Sequence, residues 1–253
     1  TANSQTLAIM LNQITMRNEL LKNRNHDRRI NYRGETASRL ENLTDAVFGI
    51  AITLLIFNLV NPNSFNDLIT FTKTLPAFLI SVSFVILIWN EHTKFSQIYS
   101  LHDSKIIVLN TAFIALVIFY VYPLRFLTLF LTNFFFNTNI EVNIDKEQVP
   151  YLMIYYGFSA FALYFVLYLF YSRASNISNT LHLNSFEIFY TKAQKRRMII
   201  MMLVPLLSIL VTVLVNLISF AWASFLGGFI YFLYTPLMIK WHNKFKNEAS
   251  DFK

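Results

Sequence analysis

No cysteine occurs among the 253 residues, which excludes disulfides, thiolate metal sites and cysteine nucleophiles. Charge is scarce as well: Asp, Glu, Lys and Arg make up 14% of the chain, against roughly 25% in soluble domains. The five histidines, His26, His92, His102, His182 and His242, show no metal-ligand spacing. Neither a Gly-x-Ser-x-Gly elbow nor a P-loop is present, so no enzyme class gains support and no cofactor is implied. Glycine is equally rare, and none of Gly34, Gly49, Gly157, Gly227 and Gly228 lies in a TVGYG-type context. A potassium filter built from backbone carbonyls is therefore excluded.

What fills the chain instead is apolar: 55% hydrophobic and 17% aromatic residues, with a mean hydropathy of +0.45. Residues 46–66, 74–90, 106–124, 148–172 and 198–239 carry no charge, and a bilayer needs about 20 apolar residues per helix. At ~1.5 Å rise the last run would span about 63 Å, twice a hydrocarbon core, so it must be two helices with a turn near Asn216 to Ser219. The fold class read from this pattern is an all-α integral membrane protein with six transmembrane helices, near 44–60, 74–91, 106–131, 150–172, 197–216 and 220–240. Of the 21 Lys and Arg residues, 18 fall on one side of those spans; only Lys73, Arg125 and Lys146 fall on the other. By the positive-inside rule both termini are cytoplasmic, and the net charge of +7 reads as topology and contact with anionic membrane lipid rather than nucleic-acid binding.

Residues 1–38 are expected to be a cytoplasmic amphipathic segment and linker, with Leu7, Met10, Leu11, Ile14 and Leu21 at helical spacing though the stripe breaks at Asn18; the other reading of residues 1–25 is a frayed terminal extension. They lack a long apolar core, so no cleavable leader is expected and the first membrane helix serves as the insertion signal. The membrane domain covers 39–240, and 241–253 is a basic cytoplasmic tail. Between the fourth and fifth spans, residues 173–197 are expected to hold one cytoplasmic or interfacial helix ending in Lys195, Arg196 and Arg197, a positive-inside anchor. The loop between the first two spans is short, while Phe134, Phe135 and Phe136 sit at the interface or continue the third helix.

The most telling segment is RLENLTDAVFGIAITLLIFNL, residues 39–59. An ionised carboxylate in hydrocarbon costs on the order of 2.5–3.5 kcal/mol on insertion scales, so Asp45 at the mouth of a membrane helix needs partners or water. Trp89, Glu91 and His92 end the second helix at the same level as Arg39 and Asp45, and Asn110 lies just inside the third helix at that end. Their convergence is most simply a polar network tying three helices together. Taken one by one they also fit an interfacial Trp, a solvated His and a polar helix end. On the first helix Ile50, Leu54 and Phe57 share one face with Thr53 beside it. If several copies surrounded an axis, these residues would stack as apolar rings with a hydroxyl ring between them, a constriction that gates by dewetting and selects by ion dehydration. An apolar face at this spacing is otherwise a lipid-facing or core stripe.

Arg39-x-x-x-Leu43-Thr44-Asp45 before an aliphatic helix resembles the R-x-x-x-F-S-D signature of the transmembrane protein 175 family, the endolysosomal potassium channel and its bacterial relatives. Trp89 and His92, Leu109-Asn110 and Val121-Tyr122-Pro123-Leu124 also resemble that family's pattern, so the resemblance covers 39–240. Leu43 and Thr44 replace Phe and Ser of the signature, keeping bulk and hydroxyl. The resemblance implies a homotetramer in which the first helix lines a central pore, with Ile50, Thr53, Leu54 and Phe57 facing it. Arg39, Thr44, Asp45, Trp89, His92 and Asn110 would form the structural network. It implies a potassium-permeable cation channel of the bacterial cell membrane, whose partners are lipids and permeant monovalent cations; with no carbonyl filter, a side-chain constriction that selects by dehydration predicts a modest preference for potassium over sodium. A secondary transporter with a substrate path between helices is the alternative. No repeat relates residues 44–131 to 150–240, and Pro205 and the Gly227-Gly228 pair are its only candidate helix breaks.

Overall fold

A computed structural model describes residues 27–34, 36–57, 63–137 and 144–252. The expected amphipathic helix of residues 1–25 lies outside the described residues. The chain divides into two compact units, Thr1–Asn31 and Tyr32–Lys253. In the first, Arg29 pairs with Asp27 at 2.7 Å, which holds the Asp27 carboxyl below its usual range.

All secondary structure among the described residues of the second unit is helical: α1 (Arg39–Phe57), α2 (Phe65–Lys73), α3 (Leu75–Tyr99), α4 (Ser104–Phe136), α5 (Val149–Asn176), α6 (Ser185–Asn216), α7 (Phe220–Phe229) and α8 (Tyr234–Ala249). Two 3-10 turns, Lys146–Gln148 and Ile230–Leu233, lead into α5 and α8. Among the described residues five segments are long and apolar enough to cross a membrane: Leu75–Tyr99, Ser104–Phe130, Lys146–Asn176, Ser185–Asn216 and Phe220–Ala249. At the place of the expected first span lies α1, a 19-residue helix that is not among these five; residues 58–62 after it lie outside the described residues.

Local chemistry sets these boundaries. Pro76 and Pro150 stand at the starts of α3 and α5, where a missing N–H is harmless. Ser100 and Asn137 end α3 and α4 in the left-handed region, φ 46° in both. The turn expected near Asn216–Ser219 is there, between α6 and α7. The third helix does continue through Phe136.

Three expectations change. The connection after α1 contains a helix, α2, started by a capping box in which the Ser64 hydroxyl accepts from the Asp67 N–H and the Asp67 carboxylate accepts from the Ser64 N–H. These bonds hold the Asp67 carboxyl below its usual range, the Ser64 interaction being the largest cause. The stretch 173–197 does not form a helix ending at the basic cluster. An Asn184–Glu187 capping box starts α6 at Ser185, nothing then breaks it, and Lys195, Arg196 and Arg197 lie in mid-helix. Finally, α8 runs without a break through residue 240 to Ala249.

Small residues bring α5, α6 and α7 together. A Cβ at Gly157 would lie 2.7 Å from Ile209 Cγ1, and one at Gly227 would collide with the Thr212 hydroxyl. The Ser208 hydroxyl donates to the Gly227 carbonyl at 2.7 Å, and Pro205 sits inside α6 without ending it.

The segment entering α1 is held down. The Gly34 N–H donates to the Gln97 carbonyl at 2.9 Å, and a Cβ at Gly34 would lie 2.5 Å from the Ser96 carbonyl oxygen, so only glycine fits that approach. Arg33 grips the fully buried Glu187 with two bonds of 2.9 and 3.0 Å.

Candidate functional site at the first helix

One face of α1 is packed and polar-anchored; among the described residues nothing covers the other. Thr44, Val47, Phe48, Ala51 and Leu55 recur at helical spacing and are buried against α3 and α4.

At the end of α1 near Arg39 a chain of hydrogen bonds crosses three helices. Asn110 on α4 donates through Nδ2 to the Thr44 hydroxyl oxygen at 2.8 Å, and Thr44 donates onward to the Leu40 carbonyl at 2.9 Å. The amide oxygen of Asn110 is thereby left to accept, and His92 Nε2 lies 2.9 Å from it as the donor. All three side chains are buried, Thr44 0%, Asn110 1% and His92 4% exposed. The imidazole is clamped between rings, stacked on Phe113 at 4.9 Å and edge-on to Phe170 at 5.5 Å. One turn away and more exposed, the Trp89 indole N–H donates to Asp45 Oδ1 at 2.7 Å. Asp45 thus has the partner its position demanded.

The six expected network residues divide accordingly. Thr44, His92 and Asn110 form one continuous chain, and Asp45 with Trp89 forms a separate pair. Arg39, the first residue of α1, is exposed and makes no hydrogen bond or ion pair with any described residue. Glu91, grouped with them by sequence, turns to α6 instead, where its carboxylate lies 2.5 Å from Arg197; Lys94 is 3.5 Å away. No local pattern announces that pair, nor the Arg33–Glu187 grip, because each joins residues more than a hundred positions apart. The α2 helix did have a sequence signal, the Ser64-x-x-Asp67 box.

On the bare face lie Ala46, the adjacent Gly49 and Ile50 three and four residues on, and Thr53, all exposed, with Ile50 at 55%. A Cβ on Gly49 would meet nothing within 4 Å. Leu54 is half-buried on the flank, so Ile50 and Thr53 occupy this face more squarely than Leu54 does. Phe57 ends the described part of α1 and its side chain lies outside the description. The Thr53 hydroxyl donates to the Gly49 carbonyl at 2.8 Å, which uses up its proton and leaves its oxygen lone pairs directed off the helix. Among the described residues no group of three or more His, Cys, Asp or Glu could hold a metal ion.

Residues 39–120, which contain the whole polar chain and the bare face, match the family model described as "Endosomal/lysosomal potassium channel TMEM175". A curated protein of Marivirga tractuosa named "Potassium channel" is 38% identical over 216 residues, which are 82% of this chain and 87% of that protein. Among solved structures, the crystal structure of a single-residue variant of the potassium channel MtTMEM175, in complex with a nanobody–MBP fusion protein, superposes with a TM-score of 0.78 at 35% identity. That match covers 88% of this chain and 99% of the other.

Proposed function

The chain belongs to the TMEM175 family, and from that premise we propose that it is a potassium-permeable cation channel whose first helix lines the pore. The observation that carries the reading is the two-sidedness of α1. Its packed face is fixed in rotation by the Asn110–Thr44 bond, and its bare face presents Ile50 and Thr53 with no covering element from its own chain among the described residues. Four copies of the six-helix unit around an axis would bury that face, and the small Ala46 and Gly49 would let the helices approach closely. Ile50 then forms the tightest ring, flanked by Leu54 and Phe57.

An ion crossing a ring of branched aliphatic side chains sheds part of its hydration shell, and potassium gives up water at lower cost than sodium. Thr53, one turn from Ile50, offers only acceptor lone pairs because its proton is held by Gly49. It suits a partly dehydrated cation and repels anions. Selectivity of this origin is modest, as dehydration discriminates without a coordinating cage. Arg39, Thr44, Asp45, Trp89, His92 and Asn110 act in assembly and helix placement rather than in ion binding. The protein resides in the cell membrane of a bacterium, with both termini cytoplasmic.

The test is ion flux in proteoliposomes under opposed potassium and sodium gradients, with protein-free controls. The wild type should carry substrate-independent flux favouring potassium, and Ile50→Asn should raise conductance and reduce that preference. Unchanged currents in Ile50→Asn at matched protein density would remove Ile50 from the pore. Flux that depends on an added solute would favour a transporter.

A further inference from the structure

The three consecutive cations in the middle of α6 point three ways. The Lys195 ammonium lies over the Tyr168 ring, 5.6 Å from its centroid. Arg197 turns inward to Glu91. Arg196 turns outward, into a groove of about 330 Å³ between α6 and α8.

That groove changes character along its length. Toward the middle of the helices its walls are Ile199, Ile200 and Leu237; toward the other end they are Arg196, Lys240 and Lys244, with Glu248 among them. The antiparallel course of α6 and α8 produces the gradient, since residues 196 to 200 run toward the apolar part of one helix while 237 to 248 run away from it on the other. The floor is rigid. Trp241 donates its indole N–H to the Ala193 carbonyl at 3.1 Å, stacks on Phe245 at 5.4 Å, and meets the Arg197 guanidinium at 5.7 Å. The basic end is not neutralised. Glu248 approaches Arg196 only to 3.4 Å and Lys244 to 3.7 Å, and one carboxylate facing three cations leaves two positive charges over.

We propose that this groove binds an anionic phospholipid from the leaflet on the basic side of the protein. The phosphate lies among Arg196, Lys240 and Lys244, and an acyl chain lies along Ile199, Ile200 and Leu237. An apolar slot that opens into uncompensated positive charge on a membrane helix matches a lipid that is hydrocarbon at one end and negative at the other. A zwitterionic lipid fills the slot but leaves the two charges unbalanced, so the site discriminates by headgroup charge.

The experiment is native mass spectrometry of the purified full chain in detergent, titrated with phosphatidylglycerol and, separately, phosphatidylcholine. Phosphatidylglycerol should be retained preferentially. Arg196→Gln/Lys240→Gln/Lys244→Gln should weaken its binding by about tenfold or more, with phosphatidylcholine unaffected. Lys105→Gln/Lys192→Gln/Lys195→Gln removes the same net charge elsewhere and should leave binding unchanged. Glu248→Gln should strengthen it severalfold, a gain that misfolding cannot produce. Equal effects of the two triple variants, or equal retention of both lipids by the wild type, would overturn the site. So would displacement of the lipid by excess inorganic phosphate, which would mean the basic end takes a free anion. A changed oligomeric mass in the groove triple alone would also overturn it, because a second copy of the chain would then be what covers the groove.

Discussion

The helices before the Asn137 turn and those after it are joined by different chemistry. In α1, α3 and α4 the interhelical bonds run from side chain to side chain: His92 to Asn110, Asn110 to Thr44, Trp89 to Asp45, and Ser81 with Thr128 at 2.5 Å. In α5 to α8 the bonds away from the exposed Arg196–Glu248 pair run mainly from side chain to backbone: Ser208 to the Gly227 carbonyl, Tyr234 to Met201 and Trp241 to Ala193. There glycines set the spacing. A backbone carbonyl is available at every turn, so a bond to it fixes proximity and tolerates a shift. A side-chain amide facing a particular hydroxyl tolerates none. The exacting kind of contact sits on the helix whose other face is bare, where a rotation error would misplace Ile50 and Thr53. Where helices only need to be close, small residues suffice.

The largest effect should come from severing the link between the two regions. Arg197→Leu leaves Glu91 buried with only the distant Lys94, a change that costs about 3–5 kcal/mol when one partner of a buried pair is lost. Thermal unfolding should show a large drop in midpoint, most of it recovered in Arg197→Leu/Glu91→Leu; a wild-type midpoint in the single variant would mean the regions are held together elsewhere.

Next in size, Asn110→Leu leaves the buried His92 N–H unpaired, at about 1–3 kcal/mol, and removes the tie to Thr44, whose hydroxyl keeps its bond to the Leu40 carbonyl. Gly157→Ala should cost about 1–3 kcal/mol through overpacking against Ile209. The two variants separate the two kinds of contact. Asn110→Leu should lower both stability and the yield of crosslinked oligomer, whereas Gly157→Ala should lower stability alone and be eased by Ile209→Ala, which removes the γ carbon nearest the added methyl. Equal assembly defects in the two would dissolve the distinction.

The smallest effect belongs to Trp89→Phe. Its bond to Asp45 is exposed to solvent, and its loss should cost below about 1 kcal/mol while leaving potassium flux through proteoliposomes intact. A loss of flux at normal assembly would give Asp45 a direct part in permeation.

The layout of the membrane helices was legible because an uncharged run of helix length admits few interpretations, and the 42-residue run had to fold back on itself. The polar chain was legible in part. Asn110 and His92 stand out as hydrogen-bonding groups in apolar company, but Thr44 does not, since a hydroxyl can satisfy itself on its own helix and carries no sign of a distant partner. Only the motif marked it. Arg39 shows the converse: the same motif named it, and the structure leaves it exposed at the helix start. Partners distant in sequence, Arg33 with Glu187 and Glu91 with Arg197, were hidden because ion pairing leaves no local periodicity. The basic triplet misled for the same reason. Three charges in a row look like the end of a membrane helix, yet each of the long side chains reaches a different neighbour.

The direction of the bonds through Asn110 has a further consequence. His92 gives its Nε2 proton to an amide oxygen, the amide gives a proton to a hydroxyl, and the hydroxyl gives its own to a carbonyl. A relay that passes protons needs every member to accept one and release another, and a carboxamide does not titrate in water. The chain of a histidine, an amide and a hydroxyl ends at the Leu40 carbonyl, which has no proton to pass on, so these bonds hold helices in place and do not form a relay.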